Sequence, residues 1–184
     1  MRLDFRPAQM LRGGLMKDIS LTILTESEAD APAIDRLHER TFGPGRYART
    51  AYRLREQAPH RLDLSFTARI GTLLVGSVRL TPIRIGATKA LLLGPLTVEP
   101  PFRERGIGAA LIMRALEAAR AKGDRLVILV GDEPYYGKCG FKRIPKGRVD
   151  MPGPVDPARL LVAELADGAF DGVSGPIRGE WEAA

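Results

Sequence analysis

A chain of 184 residues fits one domain, and 45% hydrophobic with 27% charged residues excludes a disordered or fibrous protein. The lone Cys139 excludes an intramolecular disulfide, and His38 and His60 lack the partners of a Cys/His zinc site, so no metal is expected. A formal net charge of +6 favours anionic partners (nucleic acid, a membrane surface or a phosphorylated cofactor), but the basic residues are spread along the chain and do not choose among them.

Residues 1–18 begin with a basic stretch (Arg2, Arg6, Arg12) that lacks the continuous apolar core of a signal peptide. They are expected to form a poorly ordered leader, with Met16 as an alternative start to Met1. No apolar stretch approaches the ~20 residues that span a bilayer, so a cytoplasmic protein is expected.

Residues 19–24 alternate well enough for a first strand. Thr25 or Ser27 can cap a helix running through Phe42, with Ile34, Leu37 and Thr41 near helical spacing; Phe42-Gly43-Pro44-Gly45 breaks it. Residues 46–57 read as a second, very polar helix. Residues 64–70 and 73–85 are strand-like around a Gly71-Thr72 turn, and Pro82 predicts a strand edge or a bulge. Residues 90–98 form a further strand interrupted by Gly94-Pro95.

Residues 106–122 are the clearest helix. Ile107, Leu111, Ala115 and Ala118 share a face, Arg114, Glu117 and Arg120 lie away from it, and Gly123 stops it. A buried strand at 126–130, a short helix at 133–139 and a strand from Phe141 follow. Residues 145–157 read as a loop, 160–165 as the last strand and 166–184 as a loosely ordered tail. Consecutive strands followed by α/β alternation predict a mixed sheet with helices packed on it.

The most informative stretch is Leu96-Thr97-Val98-Glu99-Pro100-Pro101-Phe102-Arg103-Glu104-Arg105-Gly106-Ile107-Gly108-Ala109. A strand enters a proline-stiffened turn, then two arginines, then Gly-x-Gly at a helix start. The first helical turn leaves N–H groups unpaired and partly positive, and glycines let a diphosphate approach that backbone. A dinucleotide fingerprint would need glycine where Leu111 stands. The nearest P-loop match, around Gly137-Lys138-Cys139, has one residue too many and no hydroxyl. Taken alone, Gly106 and Gly108 serve equally well to let a helix start pack tightly.

Arg103-x-x-Gly106-x-Gly108 after an apolar strand resembles the acetyl-CoA signature of the GNAT superfamily of N-acetyltransferases. Further along, Tyr135-Tyr136-Gly137-Lys138-Cys139-Gly140-Phe141 resembles the superfamily's second motif, a tyrosine four residues before Gly-Phe. Gly131-Asp132-Glu133-Pro134-Tyr135-Tyr136 and the segment 168–175 are most similar to YhbS-type predicted acetyltransferases. The resemblance covers residues 19–175, strongest over 91–144, and leaves 176–184 as a tail.

The resemblance implies an α/β (α+β) fold: a GNAT-like mixed, mostly antiparallel central sheet with helices on both faces. It implies acetyl-CoA as donor, no metal, and direct attack by a primary amine in a ternary complex. The strand 93–98 would splay from its neighbour, with Leu96, Thr97 and Val98 pairing to the pantetheine arm. The backbone of Arg103, Glu104, Arg105, Gly106, Ile107, Gly108 and Ala109 would hold the pyrophosphate; the two arginine side chains could equally be solvated.

Tyr136 occupies the family position that protonates the departing thiolate, while Tyr135 is expected at the core or rim, and Cys139 and Phe141 in packing. Glu99 is the first candidate for the base that deprotonates the amine, followed by Asp132 and Glu133, with His38 and His60 weaker and expected at the surface. Arg46, Tyr47 and Arg49 could receive the acceptor, which the sequence does not name. The competing readings are a non-catalytic acyl-CoA-binding sensor and, disfavoured by the absence of a basic stripe with interleaved aromatics, a nucleic-acid binder. A C-terminal strand edge could support a homodimer.

Overall fold

The computed structural model of the protein describes residues 20–43 and 50–180. Strand β1 (Leu21–Thr25) leads through a 3-10 turn (Glu28–Asp30) into helix α1 (Ala31–Phe42). The Ser27 amide and hydroxyl both donate to Asp30 Oδ2 at 2.9 Å, which fixes this turn. Helix α2 (Thr50–Gln57) follows, then β2 (Phe66–Ile70), β3 (Leu73–Ile85), β4 (Thr88–Val98), α3 (Ile107–Ala121), β5 (Leu126–Val130) and α4 (Glu133–Tyr136). The short β6 (Lys142–Arg143) and β7 (Val149–Asp150) precede β8 (Leu160–Glu164) and β9 (Gly175–Gly179).

The strands form one mixed sheet in the order β1-β2-β3-β4-β5-β8-β6, along which β4 and β5 pair in parallel and the other neighbours antiparallel; β9 joins the far end of β3 antiparallel and pairs in parallel with β7. Alternation along the strands separates two cores. Val78, Leu80, Leu91, Leu93, Val127 and Leu129 pack with the apolar stripe of α3, where Leu111, Ile112, Ala115 and Ala119 are fully buried. Ile83, Ile85, Leu92 and Ile128 face the other way, toward Leu54 of α2 and Ile177 of β9. Ile34 and Leu37 of α1 pack on Leu74 on that second side. Helices thus cover both faces, as expected.

The C-terminal segment departs from expectation. Instead of a loose tail after Leu165, Gly175–Gly179 is a strand, with Ile177 only 2% exposed. The cause lies in β3, which has 13 residues where β2 pairs with no more than its first half. Strand β9 takes up the bare edge at Ile83–Ile85, and Pro82, which has no N–H to offer there, accepts from the Glu180 amide at 3.0 Å. Gly-Pro-Ile-Arg-Gly carries almost no strand propensity, so tertiary pairing alone makes it a strand. Strand β8 lies between β5 and β6 and is covered on both sides, so it is not the free edge expected for a homodimer. The leader (1–18), including Met1 and Met16, lies outside the described residues.

Candidate functional site

The site begins with a fault in the sheet. Val78 pairs with Leu96 and Leu80 with Leu93, so Arg79 alone stands opposite two residues, Gly94 and Pro95. Such a two-against-one bulge bends the strand that carries the extra residue. Beyond it β4 leaves β5: the two strands pair only at Leu91–Val127 and Leu92–Ile128. The β5-facing backbone of residues 93–98 is therefore open along the gap.

At one end of the gap the chain turns through Pro100–Phe102 into α3. Glu104 adopts φ +61°, rare for a residue with a side chain, and Gly106 adopts φ +79° as the residue preceding the helix. No side chain caps α3 and its first turn holds no acidic residue. The amides of Ile107, Gly108 and Ala109 thus have no intrahelical acceptor, and the first helical bond runs from Ala110 to the Gly106 carbonyl at 2.9 Å. An uncapped helix start that follows an exposed turn suits an anion. Arg103 braces the turn by donating from Nε to the Val98 carbonyl at 3.1 Å, and the Arg105 guanidinium lies 5.9 Å from the centre of the Phe102 ring.

Two tyrosines of α4 close the other end. The Tyr136 ring lies against Gly131, where an added Cβ would sit 2.2 Å from Cε2. It meets Tyr135 and Phe141 edge-on at 4.9 and 6.0 Å. Burial, reinforced by Tyr135 and Asp132, pushes its hydroxyl up to about 12, so it stays protonated at physiological pH. The Tyr135 hydroxyl reaches across to the α3 start, 2.2 Å from where a Cβ on Gly108 would be.

The gap opens into a cavity of about 950 Å³. Leu93, Gly94, Leu96, Gly131 and Tyr136 form one wall; His38, Arg55, His60, Arg79 and Thr81 belong to the side carrying α1 and α2. Beneath this second wall lies a buried charge group. Glu26, 4% exposed, accepts from Arg79 through Nε (3.0 Å to each oxygen) and Nη2 (2.6 Å), and its Oε1 lies 3.1 Å from His60 Nε2. Desolvation alone would raise the Glu26 carboxyl, but the hydrogen bonds from His60 and Arg79 outweigh it and hold it below its usual range.

The model of the acetyltransferase (GNAT) family matches residues 31–141. The chain belongs to the GNAT acetyltransferase family. It is 29% identical to the uncharacterized N-acetyltransferase YhbS of Escherichia coli K12 over 159 residues, 85% of this chain and 95% of YhbS. The crystal structure of E. coli YhbS in complex with CoA shares its fold at a TM-score of 0.76 and 24% identity, covering 91% of this chain and 94% of that one. A GNAT family acetyltransferase from Brucella melitensis in complex with acetyl-CoA gives 0.58 at 27% identity, covering 83% and 99%.

Within this GNAT fold, Leu96 lines the cavity, Thr97 is buried and Val98 half-buried, and residues 103–109 form the turn and helix start. Cys139 and Phe141 are core, and burial pushes the Cys139 thiol up. Glu99 is elsewhere: Arg40 binds its carboxylate through Nη2 and through Nε at 3.1 Å, and it is not among the residues lining the cavity. Asp132 lines the cavity and pairs with Arg159 at 3.0 Å, whereas Glu133 pairs with Arg143 at 2.6 Å outside it. Arg46, Tyr47 and Arg49 lie outside the described residues.

His38 and His60, expected at the surface, both line the cavity, and His38 is buried with Nε2 3.3 Å from Ser77 Oγ. Glu26 and Arg79 were not legible as site residues. The available signal was the alternation in β3, where Ser77, Arg79 and Thr81 set polar groups on one face while Val78 and Leu80 fill the other with apolar ones.

Proposed function

We propose that this GNAT protein transfers an acetyl group from acetyl-CoA to a primary amine by direct attack in a ternary complex. The observation that carries the reading is the parting of β4 from β5 beyond Leu92, with an uncapped helix start in the chain that follows β4 and a buried tyrosine hydroxyl in the chain that follows β5. The relatives solved with CoA and with acetyl-CoA support the choice of donor. The amides of Gly106, Ile107, Gly108 and Ala109 hold the diphosphate, with Arg103, Glu104 and Arg105 shaping the turn. The β5-facing backbone groups within Leu96, Thr97 and Val98 that β3 and Arg103 do not engage pair with the pantetheine amides. A buried free thiol such as Cys139 fits a cytoplasmic setting.

Tyr136 acts where negative charge develops on sulfur. A phenol at about 12 facing a thiol near 8.5 gives up its proton uphill by about 5 kcal/mol, so outright transfer is disfavoured. Tyr136 instead donates a hydrogen bond to the departing thiolate. It releases its proton only as the attacking nitrogen, shedding an N–H proton, replaces it. The amine has its own handicap: with a lysine-like value, about one in a thousand molecules is neutral at physiological pH, equivalent to ~4 kcal/mol. Glu99 could relieve this only by releasing Arg40 and reaching the cavity.

The test combines calorimetry of coenzyme A binding with a panel of amines monitored by free thiol release. Tyr136→Phe should lower kcat about 10²–10⁴-fold while coenzyme A affinity barely changes. Absence of binding by folded protein, or an unchanged kcat in the variant, would refute the respective part of the reading.

A further inference from the structure

The buried group beneath the cavity contains more than charge balance requires. Arg79 alone satisfies Glu26, contacting both carboxylate oxygens through Nε and one through Nη2. Yet a third group, His60, also binds Glu26, and its side chain stays 27% exposed while lining the cavity. Its partner dictates its chemistry. Glu26 is held ionised and can only accept, so the hydrogen of the neutral imidazole must sit on Nε2. Nδ1 then carries the ring's lone pair. The arrangement is that of a base oriented by a buried carboxylate, with the carboxylate in turn fixed by Arg79.

Its location suits the acceptor. Arg79 is the residue opposite Gly94 and Pro95, where β4 turns away from β5. His60 shares the lining of the cavity with Arg79 and with Leu93, Gly94 and Tyr136, beside which the donor lies in the reading above. His38 is less suited, since it is almost fully buried and its Nε2 faces Ser77.

We infer that His60 is the catalytic base that takes the proton from the acceptor's ammonium group, with Glu26 and Arg79 as positioning residues. This rests on the acetyltransferase reading. The first proton passes from the ammonium to Nδ1 of His60 and on to solvent. The neutral amine forms the C–N bond, and the C–S bond breaks as the tetrahedral centre collapses. The second proton leaves the nitrogen and replaces the one that Tyr136 gives to sulfur. Amide, thiol and one solvent proton are the products. The acceptors favoured are amines basic enough to arrive protonated.

The test has two arms on the full chain. Long-range nitrogen–proton NMR resolves tautomers directly, and with only two histidines the His60 signals are assigned by His60→Gln. The expected result is neutral His60 carrying its hydrogen on Nε2. In Glu26→Gln, whose amide can donate as well as accept, an Nδ1–H fraction should appear. Nδ1–H as the main form in the unsubstituted protein overturns the proposal.

The second arm measures thiol release from acetyl-CoA with n-butylamine, protonated near neutral pH, and methoxyamine, which is neutral there. His60→Gln should lower kcat/KM for n-butylamine about 10²–10⁴-fold and for methoxyamine far less, with thermal unfolding confirming that the variant folds. Equal losses with both amines, or none, overturn the assignment. Failure of the acetyltransferase reading looks different: no binding of acetyl-CoA and no thiol release with either amine in the unsubstituted protein, which overturns both.

Discussion

Gly131→Ala tests the role of Tyr136 without altering the tyrosine. Gly131 does not adopt a positive φ, so alanine's backbone preferences are not the obstacle. The obstacle is the ring. The new Cβ would lie 2.2 Å from Tyr136 Cε2, 2.7 Å from Cδ2 and 3.0 Å from Leu129 Cδ1. Carbon atoms in contact stay about 3.5 Å apart, so the ring must retreat by about 1.3 Å, while the Leu129 methyl can rotate away. Overpacking of this kind costs about 1–3 kcal/mol of stability, which a domain of this size can survive. Displacing a reacting group by about 1 Å costs on the order of 10²-fold in rate.

The expected result is a kcat lower by about 10²-fold with coenzyme A binding little changed, read by thiol release at saturating acetyl-CoA with an amine that responds in the panel. Since the loss acts through the hydroxyl, adding Gly131→Ala to Tyr136→Phe should lower kcat hardly further. An unchanged kcat in folded Gly131→Ala, or losses that multiply in the double variant, would refute the reasoning.

Gly108→Ala should weaken coenzyme A binding chiefly by driving the Tyr135 hydroxyl across the helix start, and Tyr135→Phe, which removes that oxygen, should restore affinity in the double variant; calorimetry that finds no restoration refutes this route. Among the described residues, three carboxyls are held below their usual range: Glu26 and Asp30, where desolvation is outweighed by hydrogen bonds and charge from His60 and Arg79 or from Ser27 and Arg69, and Asp63, chiefly by its hydrogen bonds from Arg61. A depressed carboxyl contributes stability that is fully present above its unfolded value of about 4 and is lost as pH falls through its lower folded value. Urea unfolding should therefore show falling stability on acidification through that range, with a shallower fall in Glu26→Gln; parallel acid limbs would refute the contribution of Glu26.

What the sequence disclosed follows the range of the interactions involved. Helix α3 was legible nearly to the residue, because the stripe through Leu111 and Ala115 and the stop at Gly123 are local. Strand β3 was legible because its breakers flank it. The turn before α3 and the Tyr135-Tyr136 pair stood out as short motifs because each lies within one stretch of chain, and their roles remain those proposed above. Glu26, His60 and Arg79 come from a strand end, a loop and a mid-strand position, and only the pairing of β1, β2 and β3 makes them neighbours. The surroundings of Glu99 were hidden for the same reason. Its place after the strand was clear, but its claim by Arg40 of α1 was a tertiary fact. Strand β9 was hidden because its pairing edge exists only where β2 falls short of β3.

The bulge at Gly94-Pro95 joins the two halves of the site. On the β5 side it opens backbone that a pantetheine arm can pair with; on β3 the residue opposite it is Arg79. Ser77, Arg79 and Thr81 share the face beneath α1, where Ile83 and Ile85 further on are apolar. Polar side chains on a covered strand face are costly unless partnered or in reach of water. Ser77 meets His38 and Arg79 meets Glu26, so the face is satisfied without filling the space above it. An apolar stripe at these positions would have drawn α1 and α2 down onto the sheet and closed the cavity. The same strand register that parts β4 from β5 therefore keeps open the space that the proposed acceptor would enter, with His60 in its lining.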